Sequence, residues 1–150
     1  MRHNLILPKL TFILLLACYG PAHAADEVLP GPVLARVVKV VDGDTVAVRA
    51  RIWLGQDVET NVRILGIDTP ETRGRCERER DLARQAKDFV TARLVVDDVI
   101  TLNDVTHDKY GKRVVARVVT GGGEDIGAGL ISAGLARAYG GATKTGWCPG

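Results

Sequence analysis

Residues 63–73 read RILGIDTPETR: an apolar run of the kind that makes a buried strand, ending in Asp68, Thr69, Pro70 and Glu71. Two acids, a hydroxyl and a proline at a strand end are poor core material. Arg63 opens the same strand, upstream of Asp68. Another acid, Asp44, lies in DGDT (42–45) among valines, a setting that depletes aspartate. Carboxylates gathered from different strands are what a hard divalent cation takes as ligands, Ca²⁺ among them. A further carboxylate that leaves the metal alone can orient or deprotonate a water. Arginines placed to neutralise developing negative charge complete a set suited to attack of water on a phosphodiester. Arg63 is one candidate; Arg113, opening the strand after HDKYGK, is the other. A guanidinium's planar fork meets two phosphate oxygens at once and stays protonated.

The elements that must position these residues follow from hydrophobic periodicity. ARVVKVVDGDTVAVRARIWL predicts strand, tight turn and strand, with Asp42-Gly43 as the hairpin signal because both tolerate positive φ; Asp44 falls just past the turn. GQDVET reads as the next turn and NVRILGI as a third strand. From 76 to 95 the spacing becomes helical, with Leu82, Ala86, Phe89, Val90 and Leu94 on one face and the charges of RGRCERERDLARQAK on the solvated side. Arg73 and Arg75, next to Glu71, are placed to steer a polyanion. VITLND predicts a fourth strand, VVARVV a fifth, and IGAGLISAGLARA a second helix. GGGEDIGAG lacks the Gly-Lys-Ser/Thr of a phosphate loop and reads as a turn leading into that helix. Strands and helices do not alternate, which excludes a doubly wound parallel sheet. Five short strands, with a helix between the third and fourth, match an oligonucleotide/oligosaccharide-binding barrel (OB-fold), here with two to three helices.

The N-terminus has the pattern of a secretory signal peptide over residues 1–24: basic Arg2 and Lys9, the apolar run LTFILLLAC, and Ala22-His23-Ala24 as the cleavage site. The apolar run is too short to span a bilayer; a lipid-modified leader ending at Cys18 is the alternative. Residues 25–33 form a linker, and 34–150 form one domain with an irregular tail over 140–150. With Arg2 and Lys9 removed, 18 basic residues face 18 acidic ones. A nucleic-acid partner must therefore be argued from where charges lie, not from net charge. Cys76 and Cys148 remain as an even pair in an exported chain, the pattern of a disulfide that ties down the C-terminus.

VVDGDTV, VRILGIDTPET, DKYGKRVVA and LISAGLARAY occur in this order, and together they resemble the thermonuclease (staphylococcal nuclease-like) family across residues 34–139. The resemblance implies a five-stranded barrel with helices and a Ca²⁺-dependent phosphodiesterase acting on DNA and RNA, leaving 3′-phosphate ends. It implies Asp44 and Asp68 as metal carboxylates, with Thr69 adding a backbone carbonyl. Glu71 is implied as general base, and Arg63 as the arginine on the scissile phosphate. Lys109, Tyr110 and Tyr139 fall in the implied nucleotide site, where an aromatic ring stacks bases of any sequence. The second arginine departs from the family pattern D-[KR]-Y-G-R. Counting from the glycine puts Lys112 in the slot; counting back from the strand puts Arg113 there, with one residue inserted in the turn. Strand register is the stronger constraint, which favours Arg113. The expectation is an exported monomer, secreted or periplasmic, with nucleic acid as substrate, no stable protein partner and no membrane anchor after leader cleavage. Its rivals are a binding barrel that does not cleave and a structural Ca²⁺-binding domain.

Overall fold

A computed structural model of the chain describes residues 27–109 and 111–149. The expected leader and Tyr110 lie outside the described residues.

Val-rich segments alternating inward and outward build the strands β1 (Val28–Leu29), β2 (Val33–Asp42), β3 (Thr45–Trp53), β4 (Gln56–Ile64) and β5 (Ile67–Asp68). Helix α1 (Glu77–Thr91) follows, then β6 (Val99–His107), β7 (Val114–Val119), α2 (Ile126–Ser132) and β8 (Arg137–Ala138). Strands β2, β3, β4, β7 and β6 pair in a ring and close a five-stranded barrel. The β4–β7 pairing is parallel and the other four are antiparallel, so the barrel is mixed. β1 extends the sheet beside β6, within the segment expected to be linker. β5 and β8 form a separate two-stranded ladder.

The barrel interior is filled by Val37, Val46, Val48, Val62, Ile64, Ile100, Leu102 and Val118, with Ala86 and Val90 of α1 and Ile126 and Leu130 of α2 packed onto it. β-branched side chains fit this pleated, half-buried surface, which is why valine dominates.

Several local expectations change. The β2–β3 turn is centred on Gly43 and Asp44, since Asp42 pairs with Thr45. Neither Asp42 nor Gly43 has positive φ. Glycine is needed at 43 for a different reason: a Cβ there would lie 2.7 Å from the Cβ of Ala86, because α1 packs directly on the turn. Of GQDVET, expected to be a turn, only Gly55 is one, and QDVET is strand. The turn is the Leu54-Gly55 pair, with Gly55 at φ 72°, and β4 starts at Gln56. Its charges pair across the ladder as Arg49–Glu59 at 2.5 Å and Arg51–Asp57, so polarity here marks an exposed sheet face. The third strand is interrupted at Leu65-Gly66, where Gly66 takes φ 77°. Helix α1 stops at Thr91 rather than 95, and α2 at Ser132, followed by Gly134 at φ 70°. That early stop frees Arg137–Ala138 to pair with Ile67–Asp68.

Candidate active site

The β2–β3 turn and the paired ends of β4 and β7 bring the singled-out residues to one side of the barrel. Thr45 is registered opposite Arg63, so the arginine lies beside Asp44 one position away; its Nη1 contacts Asp44 Oδ2. Thr45 Oγ1 donates to Asp44 Oδ1 at 2.8 Å, and the Asp44 N–H donates to Asp42 Oδ1 at 3.1 Å. Asp44 is buried, and desolvation raises its pKa above the usual 3.8; the charge of Arg63 opposes this without cancelling it. Parallel pairing sets Val114 beside Val62 and Val115 beside Arg63, which carries Arg113 to the same end. Arg113 Nε lies 2.5 Å from Asp108 Oδ2, and the Asp108 N–H donates to the Arg113 carbonyl at 3.1 Å, closing the turn between β6 and β7.

A cleft of about 290 Å³ is lined by Asp44, Arg63, Thr69, Glu71, Lys109, Arg113 and Tyr139, all singled out in the sequence. Asp42, Asp108 and Lys144 join them. Lys112, offered as the alternative to Arg113 and as a substrate contact, is not brought there. It lines a depression with Val38, Ala47, Glu59, Thr60 and Asn61. Successive residues entering a strand face opposite sides, so one of the pair had to turn away from the cleft.

Asp68 is buried and lines not this cleft but a neighbouring groove of about 550 Å³, which shares Thr69, Glu71 and Lys144 with the cleft. Lys144 Nζ stands 2.7 Å from Asp68 Oδ1 and 3.5 Å from Glu71 Oε1. Its contact with Asp68 raises the Lys144 pKa above the usual 10.5. The approach is too poorly aligned for a hydrogen bond, leaving Asp68 Oδ1 buried without one. Trp147 Nε1 donates to Asp68 Oδ2 at 3.3 Å. Glu71 itself is 69% exposed at its side chain.

These donors fit a hard cation. Buried Asp44 and Asp68 present carboxylate oxygens, one of them lacking a hydrogen bond, and among the described residues their ion-pair partners are Arg63 and Lys144. Cys76, Cys148 and Glu79 also converge, but the sulfurs are joined in the expected disulfide and have no thiolate to offer a metal. A groove of about 420 Å³ elsewhere, beside Leu34, Arg36 and Val99, contains none of the singled-out residues.

Four contributors escaped the sequence reading. Glu79, assigned there to the solvated helix face, is buried. Its carboxylate accepts from the N–H groups of Glu71 at 3.4 Å and Arg75 at 3.1 Å, and so shapes the loop that carries Glu71. Asp108 orients Arg113. Lys144 and Trp147 arrive on the tail, and their one sequence signal was the Cys76–Cys148 pairing, which requires the tail to return to this loop.

Comparison with known proteins identifies the family. The sequence profile of the family described as "Staphylococcal nuclease homologue" matches residues 61–146. A protein of Escherichia coli described as an uncharacterized endonuclease is 29% identical over 112 residues, 75% of this chain and 65% of that protein. This chain therefore spans just under two thirds of that relative's length. A thermonuclease of Staphylococcus hyicus is 31% identical over 120 residues, covering 79% of this chain and 67% of that protein.

Proposed function

Since the chain belongs to the staphylococcal nuclease homologue family, we propose that it is an exported, Ca²⁺-dependent endonuclease hydrolysing DNA and RNA with little sequence preference. The observation carrying this reading is the convergence of Asp44, Arg63, Thr69, Glu71 and Arg113 on one cleft. Export is supported by the signal-like leader, and by a disulfide of the kind that persists in oxidising compartments.

Asp44, Asp68 and the Thr69 carbonyl would hold the cation, which when bound supplies positive charge to the phosphate and polarises water. Arg63 and Arg113 both reach the phosphodiester in the cleft, each exchanging a carboxylate partner, Asp44 or Asp108, for phosphate oxygens. Glu71, exposed and facing the same space, takes a proton from water as the oxygen attacks phosphorus. The P–O5′ bond breaks, its electron pair going to O5′, which takes a proton from solvent water, leaving a 3′-phosphate and a 5′-hydroxyl. Charge accumulating on the phosphate oxygens is met by guanidinium groups that stay protonated throughout.

The contacts Arg63–Asp44 and Lys144–Asp68 favour a second reading, a barrel that binds nucleic acid with its carboxylates neutralised internally and does not cleave. Cleavage of single-stranded DNA by the purified protein, with Ca²⁺ and with chelator, decides between them. Ca²⁺-dependent turnover is expected, with Glu71→Gln slower by roughly 10²–10⁴-fold at similar substrate affinity. Tight binding without cleavage in any divalent cation would establish the second reading instead.

A further inference from the structure

We propose that the groove beside the cleft, built by the C-terminal tail, is a second nucleotide subsite. In it Trp147 stacks the base next to the hydrolysed linkage, while Arg73 and Arg75 contact the adjoining phosphate. This rests on the nuclease reading and specifies how the same site holds a longer single strand.

The groove runs on from the cleft through shared Thr69, Glu71 and Lys144, so a strand whose phosphate lies between Arg63 and Arg113 has a direct continuation. Its wall carries three cations and an aromatic ring, the combination that tracks a single strand without reading its sequence. Arg73 and Arg75 are exposed and form no ion pair among the described residues, so their charge remains available to a phosphate. Of the three acids on the same wall, Glu79 is engaged by two backbone N–H groups and Asp68 by Lys144 and Trp147, while Glu71, where the groove meets the cleft, stays exposed.

The ring is held for the purpose. The Arg137 guanidinium lies over the Trp147 ring, 3.9 Å from the centroid, the indole N–H donates to Asp68 Oδ2, and the adjacent Cys148 is bonded to Cys76. Arg137 is in turn anchored to the tail through the Thr145 hydroxyl at 2.8 Å and the Gly146 carbonyl at 3.1 Å. An indole fixed in this way loses little freedom when a base stacks on it. Gly74 keeps the arginine loop in place, since a Cβ there would fall 2.4 Å from Glu79 Cγ.

Trp53, the other tryptophan, is 69% exposed at the far end of β3 from Asp44, so Trp53→Phe leaves Trp147 as the single indole reporter. With chelator present, oligothymidylates of two to about eight nucleotides are titrated in, and binding is followed by anisotropy of a labelled strand. Quenching of Trp147 emission is expected, with affinity rising about tenfold once the strand reaches both sites. Trp147→Phe keeps most of that gain and Trp147→Leu loses it; a purely structural indole N–H on Asp68 would be missed equally in both. Replacing Arg73 and Arg75 by alanine lowers the salt dependence of the longer strand's binding by about one unit of slope. Strand binding with unmoved Trp147 emission, or equal losses in the Phe and Leu variants, overturns the subsite and leaves the nuclease reading intact. No binding by anisotropy and no cleavage with Ca²⁺ overturns the nuclease reading, and the subsite with it.

Discussion

Asp44 shows at the scale of one residue what a buried carboxylate costs. Burial raises its pKa, and neither Arg63 nor the Thr45 hydroxyl restores it. The native protein therefore holds this proton more tightly than the unfolded chain does. The group's contribution to stability is fully present below the usual 3.8 and is lost as pH rises through the raised native value. At neutral pH the charged form is a burden that a bound cation would relieve. Metal-free Asp44→Asn is accordingly expected to melt at or above the wild type at pH 7, with the gap narrowing below pH 3.8, and to lack the stabilisation by Ca²⁺ that the proposed function predicts for the wild type. Thermal melts across pH, with and without Ca²⁺, check both halves. The acids and Arg63 were legible in the sequence because charge at a strand end opposes local propensity and so stands out. Glu79 and Lys144 look like ordinary surface residues in sequence, and the partners that give them a role, the Glu71 loop and Asp68, are set by the fold.

The elements position the site through close approaches more than through special backbone conformations. The turn carrying Asp44 is seated on α1 by Gly43 against Ala86, so the helix fixes the height at which the carboxylate is presented. Gly43→Ala is expected to destabilise the fold by about 1–3 kcal/mol through overpacking. Ala86→Gly should return part of that loss in the double variant, although alone it costs about 1 kcal/mol of helix propensity. A double-mutant cycle in denaturant measures the coupling, and strict additivity would place the strain elsewhere. Strand existence was legible from Val-rich runs, and so was the β2–β3 hairpin. The misplaced β3–β4 turn shows the limit: QDVET is polar because Asp57 and Glu59 pair with Arg51 and Arg49 across an exposed ladder, which a single strand's composition cannot reveal.

For the whole molecule, the decisive connection is the Cys76–Cys148 bond, 72 residues apart in sequence. It joins the start of α1 to the tail, beside the loop of Glu71 and the groove of Trp147. By chain entropy it contributes about 4 kcal/mol, an amount that depends on the unfolded-state model. Replacing both cysteines by serine is expected to lower the unfolding free energy by about that much. The variant should also lose the Lys144 and Trp147 contacts with Asp68, seen as a shift in tryptophan emission before global unfolding. A single cooperative transition with unchanged emission would show that β8 alone holds the tail.

The sequence by itself determined the barrel's strands, the cysteine pair and the carboxylates and Arg63 of the cleft, because each leaves a local mark: alternation, an even count, or a charge where apolar residues belong. Tertiary structure alone decided that the tail borders the cleft and that Glu79 shapes its loop, and it is what brings Arg113, the residue that strand register favoured over Lys112, to the cleft. Those outcomes depend on strand register and on contacts between segments far apart in the chain, and such contacts are fixed only when the whole barrel closes.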